Sequence, residues 1–136
     1  MTGLNFRLPT EAEWEFAARG GNKSKGFIYS GSDDIDKVAV YKDAGNLHYL
    51  LVASKMANEL GIYDMSGNVM EWCSDWYGEY TDENQINPIG SDFNTENLKV
   101  RRNGSGVYGA SYQYIAKREG STINLRRQSS GFRLVL

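Results

Sequence analysis

The chain has 136 residues, 40% of them hydrophobic, enough for one modest domain with one core. Seventeen acidic and 15 basic residues leave a formal charge of −2, so overall charge selects no partner, and a single cysteine excludes an internal disulfide. No apolar run is long enough for a membrane-spanning helix, nothing has the form of a signal peptide, and one histidine cannot build a histidine-rich metal centre.

In chain order, Thr10 and Glu13 after Pro9 form a capping box that predicts a helix start. Trp14, Ala17 and Ala18 then share one face, Glu11 and Glu15 are expected to point away, and Gly20-Gly21 supplies a left-handed stop. No catalytic role is expected for Glu11, Glu13 or Glu15. Residues 22–46 are polar and turn-rich, with short apolar pieces at 27–29 and 38–41 that read as strands or extended loops. Asp33, Asp34 and Asp36 read as a solvated acidic loop, and His48 carries no expected catalytic role. Residues 50–52 suggest a short buried strand.

Residues 58–77 organise the rest. Asp64 and Glu71 flank Ser66-Gly67-Asn68, the most turn-prone run in the chain, so the backbone must reverse between the two acids. Two readings follow. Side-chain oxygens of Asp64 and Glu71 with the carbonyls of Gly67 and Val69 would make an all-oxygen shell suited to calcium; otherwise the run is a hydrogen-bonded turn with solvated acids. Trp72, Ser74 and Trp76 alternate as in a strand, and the two indoles on one face are expected to enter the core.

Residues 78–97 form a long acidic and amide-rich surface loop. A strand should restart at residues 99–101, Val107, Tyr112, Tyr114 and Ile115 are the next apolar points, and residues 132–136 read as a closing core strand. From Lys99 to Arg133 eight basic residues face one acid, Glu119. That excess either attracts an anionic ligand or pairs with the acids of the first hundred residues. No repeat, heptad or low-complexity tract appears, and all of the chain is placed in one domain.

Four stretches carry a resemblance. Residues 58–77, the helix run Arg7-Leu8-Pro9-Thr10-Glu11-Ala12-Glu13-Trp14-Glu15, the segment Tyr29-Ser30-Gly31-Ser32 and the ending Gly131-Phe132-Arg133-Leu134 resemble, in order, the formylglycine-generating enzyme family, the sulfatase-modifying-factor domain. The resemblance implies an irregular α+β, C-type-lectin-like domain with small antiparallel sheets and long loops, and it places this chain in the C-terminal portion of a longer domain. It also implies structural calcium on Asp64, Gly67, Val69 and Glu71, and an extracytoplasmic or surface-displayed setting.

Active members of that family oxidise a sulfatase cysteine with copper held by two cysteines. By resemblance those two positions are Tyr108 and Gln113 here, and the glycine-rich motif before them reads Asn103-Gly104-Ser105-Gly106, with Asn103 where the family has glycine. Cu(I) requires soft thiolates, so copper is not expected and neither is catalysis. Serine, tyrosine, asparagine and glycine fill 14 of the 30 positions from Arg101 to Ser130, the mixture of rigid rings and small adaptable donors found in binding loops. The expectation is a non-catalytic ligand-binding module using Ser105, Tyr108, Tyr112, Gln113, Tyr114, Lys117, Arg118 and Arg126, on a surface resembling retroelement-diversified lectin folds. Its partner is expected to be a protein or glycan, anionic where the basic stretch is used, rather than nucleic acid or membrane. The alternative is a formylglycine-generating oxidase.

Overall fold

The computed structural model describes residues 3–42, 51–92 and 96–136. Helix α1 (Glu11–Ala18) begins as its capping box dictates: the Glu13 amide donates to Thr10 Oγ1 at 3.2 Å and the Thr10 amide donates to Glu13 Oε2 at 2.8 Å. It ends at Arg19, and Gly20 takes the left-handed conformation (φ 87°) that turns the chain away. Trp14 and Ala18 are buried, as the spacing requires. A one-turn helix α2 (Ile35–Val38) follows, where the sequence suggests strand or loop at 38–41; only Val40 bridges, to Gly67.

One four-stranded sheet carries the fold. Its strands are β1 (Met70–Trp76), β2 (Leu98–Arg102), β3 (Arg118–Thr122) and β4 (Ser130–Gly131), in spatial order β3-β2-β1-β4. The β1–β2 and β2–β3 pairs are antiparallel and β1–β4 is parallel, so the sheet is mixed rather than purely antiparallel. With few helices and long connections, the architecture is the expected α+β, C-type-lectin-like one. The core is Trp14, Ala18, Met65, Cys73, Val100 and Ile115, where α1 crosses the β1–β2 pair.

Several expectations need correction. β1 alternates, but the face turned to the core carries Glu71, Cys73 and Asp75, while Trp72 and Trp76 are half-buried on the other side. There, cations of β2 cover the indoles across the ladder: Lys99 Nζ lies 3.8 Å from the Trp76 ring and the Arg101 guanidinium 5.4 Å from Trp72. Glu11 does not point away from the core; it is buried. Leu51 and Val52 are exposed and form no strand, while Leu50 and His48 lie outside the described residues. Residues 132–136 are not a core strand either. They meet the N-terminal stretch through the Arg7–Val135 bridge and leave Phe132, Leu134 and Leu136 exposed, as are Leu4 and Phe6.

Half of the eight basic residues from Lys99 to Arg133 are neutralised by ion pairs. Arg102, fully buried, donates to Glu11 Oε1, Glu15 Oε2 and the Ile115 carbonyl, each at 2.7 Å. Arg118 grips both Glu11 oxygens at 2.8 Å while its guanidinium lies against the Tyr77 and Tyr80 rings. Arg133 chelates Glu71 and Arg101 pairs with Glu119. Burial would raise the Glu11 carboxyl, but hydrogen bonds from Arg118 and Arg102 outweigh it and hold the group below the usual carboxylate range. Among the described residues, Lys99 and Lys117 lie on aromatic rings rather than carboxylates, and Arg126 and Arg127 keep no ion-pair partner.

Candidate functional site

Residues 103–117 connect β2 to β3 and carry most of the residues singled out for binding. Their path is fixed by one buried side chain, Gln113. Its Nε2 donates to the carbonyls of Tyr108 (3.0 Å), Gly109 (3.1 Å) and Ser105 (3.2 Å), so the loop closes around a single carboxamide. Three carbonyl neighbours dictate which end of the amide is nitrogen. Gly104 must be glycine: a Cβ there would run into the Tyr112 carbonyl and Gln113 Oε1. The loop is tied outward by the Lys42 amide to the Tyr108 carbonyl (2.9 Å), the Gly106 amide to the Asn68 carbonyl (2.8 Å) and the Ile115 amide to the Ile28 carbonyl (3.1 Å).

On this closed loop the Tyr108 and Tyr112 rings stack at 4.9 Å, and Lys117 Nζ stands 4.8 Å from the Tyr112 centroid. A second stack, Tyr114 on Tyr29 at 5.2 Å, fixes the next turn of chain. Tyr112 and Tyr114 are 43% and 41% exposed, so each stacked ring still presents part of its surface to solvent. Such rings give contact area with little entropy left to lose.

The eight expected ligand-binding residues therefore divide. Tyr112, exposed, clusters with the half-buried Tyr108 and Lys117, and exposed Tyr114 forms the neighbouring stack. Ser105 and Gln113 are wholly buried and shape the loop from beneath, with Ser105 Oγ and Gln113 Oε1 left without partners. Arg118 belongs to the Glu11 ion cluster. Arg126 sits apart, in a shallow concavity of about 490 Å³ with Trp72, Arg127 and Phe132.

The turn at residues 64–69 also divides the expected calcium ligands. The carbonyls of Gly67 and Val69 converge, joined by that of Asp64, but on Asn103 Nδ2, at 2.7, 3.1 and 2.9 Å. Neither carboxylate joins them. Glu71 is held by Arg133 Nε (2.6 Å) and Nη2 (2.7 Å) and accepts from Trp14 Nε1 at 2.7 Å, while Asp64 Oδ2 accepts from the Ala53 amide at 2.8 Å. Among the described residues no three His, Cys, Asp or Glu side chains converge. The donor set as arranged does not fit a calcium ion, because the carbonyls meet an amide and Glu71 is already neutralised. Cys73, the only cysteine, is buried in the core on β1, where burial pushes its thiol up.

A cleft of about 740 Å³ between α1 and residues 78–92, lined by Glu15, Asp75, Trp76 and Tyr80, has no counterpart in the sequence reading. Burial raises the Asp75 carboxyl, whose Oδ2 accepts from the Glu11 amide at the start of α1 (2.8 Å). The alternation of β1 could have flagged Asp75, had its core face been assigned correctly.

The fold and this geometry define a lectin-like scaffold that presents a rigid loop cluster. The chain belongs to the family of the sulfatase-modifying factor enzyme 1-like domain, which matches residues 2–136. It is 34% identical over 146 residues to the formylglycine-generating enzyme of Streptomyces coelicolor, covering 93% of this chain and 45% of that protein. It is 48% identical over 89 residues to the chaperone protein LppX of Paenibacillus barcinonensis, covering 53% of this chain and 32% of that one. The solved structure of Treponema denticola variable protein 1 superposes with a TM-score of 0.85 at 34% identity, over 95% of this chain and 46% of that chain. The chain thus spans less than half the length of these relatives.

Proposed function

We propose that this chain is a non-catalytic ligand-binding module whose contact face is the Tyr108–Tyr112 stack with Lys117 and Tyr114. The observation that carries the reading is the stack itself: the exposed Tyr112 ring braced on the half-buried Tyr108, with the Lys117 cation against it. The ligand is a protein or glycan, and Lys117 favours an anionic one. A solved relative named as a variable protein supports a surface whose residues change with the ligand, and an extracytoplasmic or displayed setting suits that use. For the 136-residue chain on a glycan array and in protein pull-downs, the expected result is a specific ligand that Tyr112→Ala releases at unchanged melting temperature. Identical binding by wild type, Tyr112→Ala and Lys117→Glu would remove this face from the reading.

Relatives named as formylglycine-generating enzymes favour an oxidase as the second reading. It would need a thiolate pair, and the one thiol here is enclosed in the core. Incubation with copper and a sulfatase-motif peptide, read by the mass change of aldehyde formation, separates the two. Turnover would favour the oxidase.

A further inference from the structure

The turn at residues 64–69 points three carbonyl oxygens at one place, an arrangement that needs a positive pole, a cation or N–H donors, because aligned carbonyl dipoles repel. Asn103 Nδ2 occupies that place, 2.7–3.1 Å from the Gly67, Asp64 and Val69 oxygens. These separations are only slightly longer than the roughly 2.3–2.6 Å of calcium–oxygen bonds. The other end of the amide is equally committed: Oδ1 accepts from the Gly67 amide at 2.7 Å and the Gly104 amide at 2.8 Å.

Asn103 is fully buried and sits at φ 76°, a conformation in which glycine is the default. An asparagine held there carries a backbone cost that glycine would avoid, offset by five side-chain contacts, four of which tie residues 64–69 to the end of β2. Arg133 argues the same way. Its guanidinium chelates Glu71 and also reaches the Tyr63 carbonyl at 3.2 Å, so the positive charge that would complement this acid is already supplied by the chain.

We propose that the Asn103 carboxamide is a built-in substitute for a calcium ion, and that the 64–69 turn is braced without metal. Nδ2 supplies the positive pole to the three carbonyls and Arg133 neutralises Glu71. Together they take the two roles a divalent ion would combine.

The test uses the 136-residue chain, with thermal melting in excess chelator and in millimolar calcium, and terbium luminescence as a probe of any calcium site near Trp14. Wild type is expected to melt at the same temperature in both and to bind no terbium stoichiometrically. Asn103→Asp replaces the donor with a carboxylate inside the carbonyl cage. It is expected to melt lower in chelator by on the order of 5–10 °C and to recover with calcium. If Asn103→Asp does not fold, wild type alone decides: one calcium or terbium per chain, with a melting shift on chelation, overturns the proposal. An Asn103→Ala chain as stable in chelator as wild type overturns it as well.

Discussion

Two carboxamides, Asn103 and Gln113, are both wholly buried, and each points its nitrogen at three backbone carbonyls. They differ in what they join and how completely. Asn103 connects segments 34–39 residues apart and has both ends satisfied. Gln113 connects carbonyls only four to eight residues away and leaves Oε1 without a partner. The first holds the frame; the second shapes one loop upon it. A binding scaffold needs both kinds of constraint, since frame loss unfolds the chain whereas loop loss alters only what the frame presents.

This contrast orders the expected effects. The largest belongs to the frame's ion cluster. Glu11→Ala leaves Arg102 buried with one carboxylate fewer and should cost about 3–5 kcal/mol, read by urea unfolding. Asn103→Ala should follow at about 2–4 kcal/mol, because buried backbone groups on both sides lose their partners. Gln113→Ala should cost only about 1–2 kcal/mol, since its contacts are local and one orphaned oxygen leaves with it, yet it should weaken ligand binding more than Asn103→Asp rescued by calcium. Equal destabilisation by the two alanine substitutions would erase the distinction. Tyr112→Ala, touching neither brace, should change stability by less than about 0.5 kcal/mol while abolishing capture of the ligand.

Acid sharpens the comparison further. Burial raises the Glu11 and Glu15 carboxyls, but Arg118 and Arg102 on Glu11, and Arg102 and Arg19 on Glu15, outweigh it and hold both below their ordinary value of 4.5. Their contribution is therefore full above about pH 4.5 and is lost as pH falls through the depressed folded values. Asp75 runs the other way: burial raises its carboxyl, so protonation of this group favours the fold and offsets part of that loss. Glu11→Gln should flatten the acid limb of a stability-against-pH curve. Asn103→Ala should lower the curve without changing its shape, because an amide does not titrate.

Structure decided by neighbouring residues was legible in the sequence. The Thr10–Glu13 capping box, the stop at Gly20, the alternation of β1 and the reversal at Gly67 follow from backbone preference and spacing, while the family was indicated by the resemblance of residues 7–15, 29–32, 58–77 and 131–134. What alternation could not supply was the direction of β1. A period of two is the same whichever face is buried, and α1, with Trp14 reaching Glu71, selected the face that carries acids.

The same limit governs the site. Composition marked residues 101–130 as a binding stretch, but Ser105, Tyr108, Tyr112 and Gln113 read alike in a string of polar letters. Only packing separated exposed rings from buried braces. The basic excess was likewise visible as a count, while its partial neutralisation by Glu11, Glu15 and Glu71 required distant segments to meet. Local sequence sets where the chain turns and which residues alternate; which amide, guanidinium or carboxylate answers which buried group is a matter of long-range proximity, and that exists only in the folded molecule.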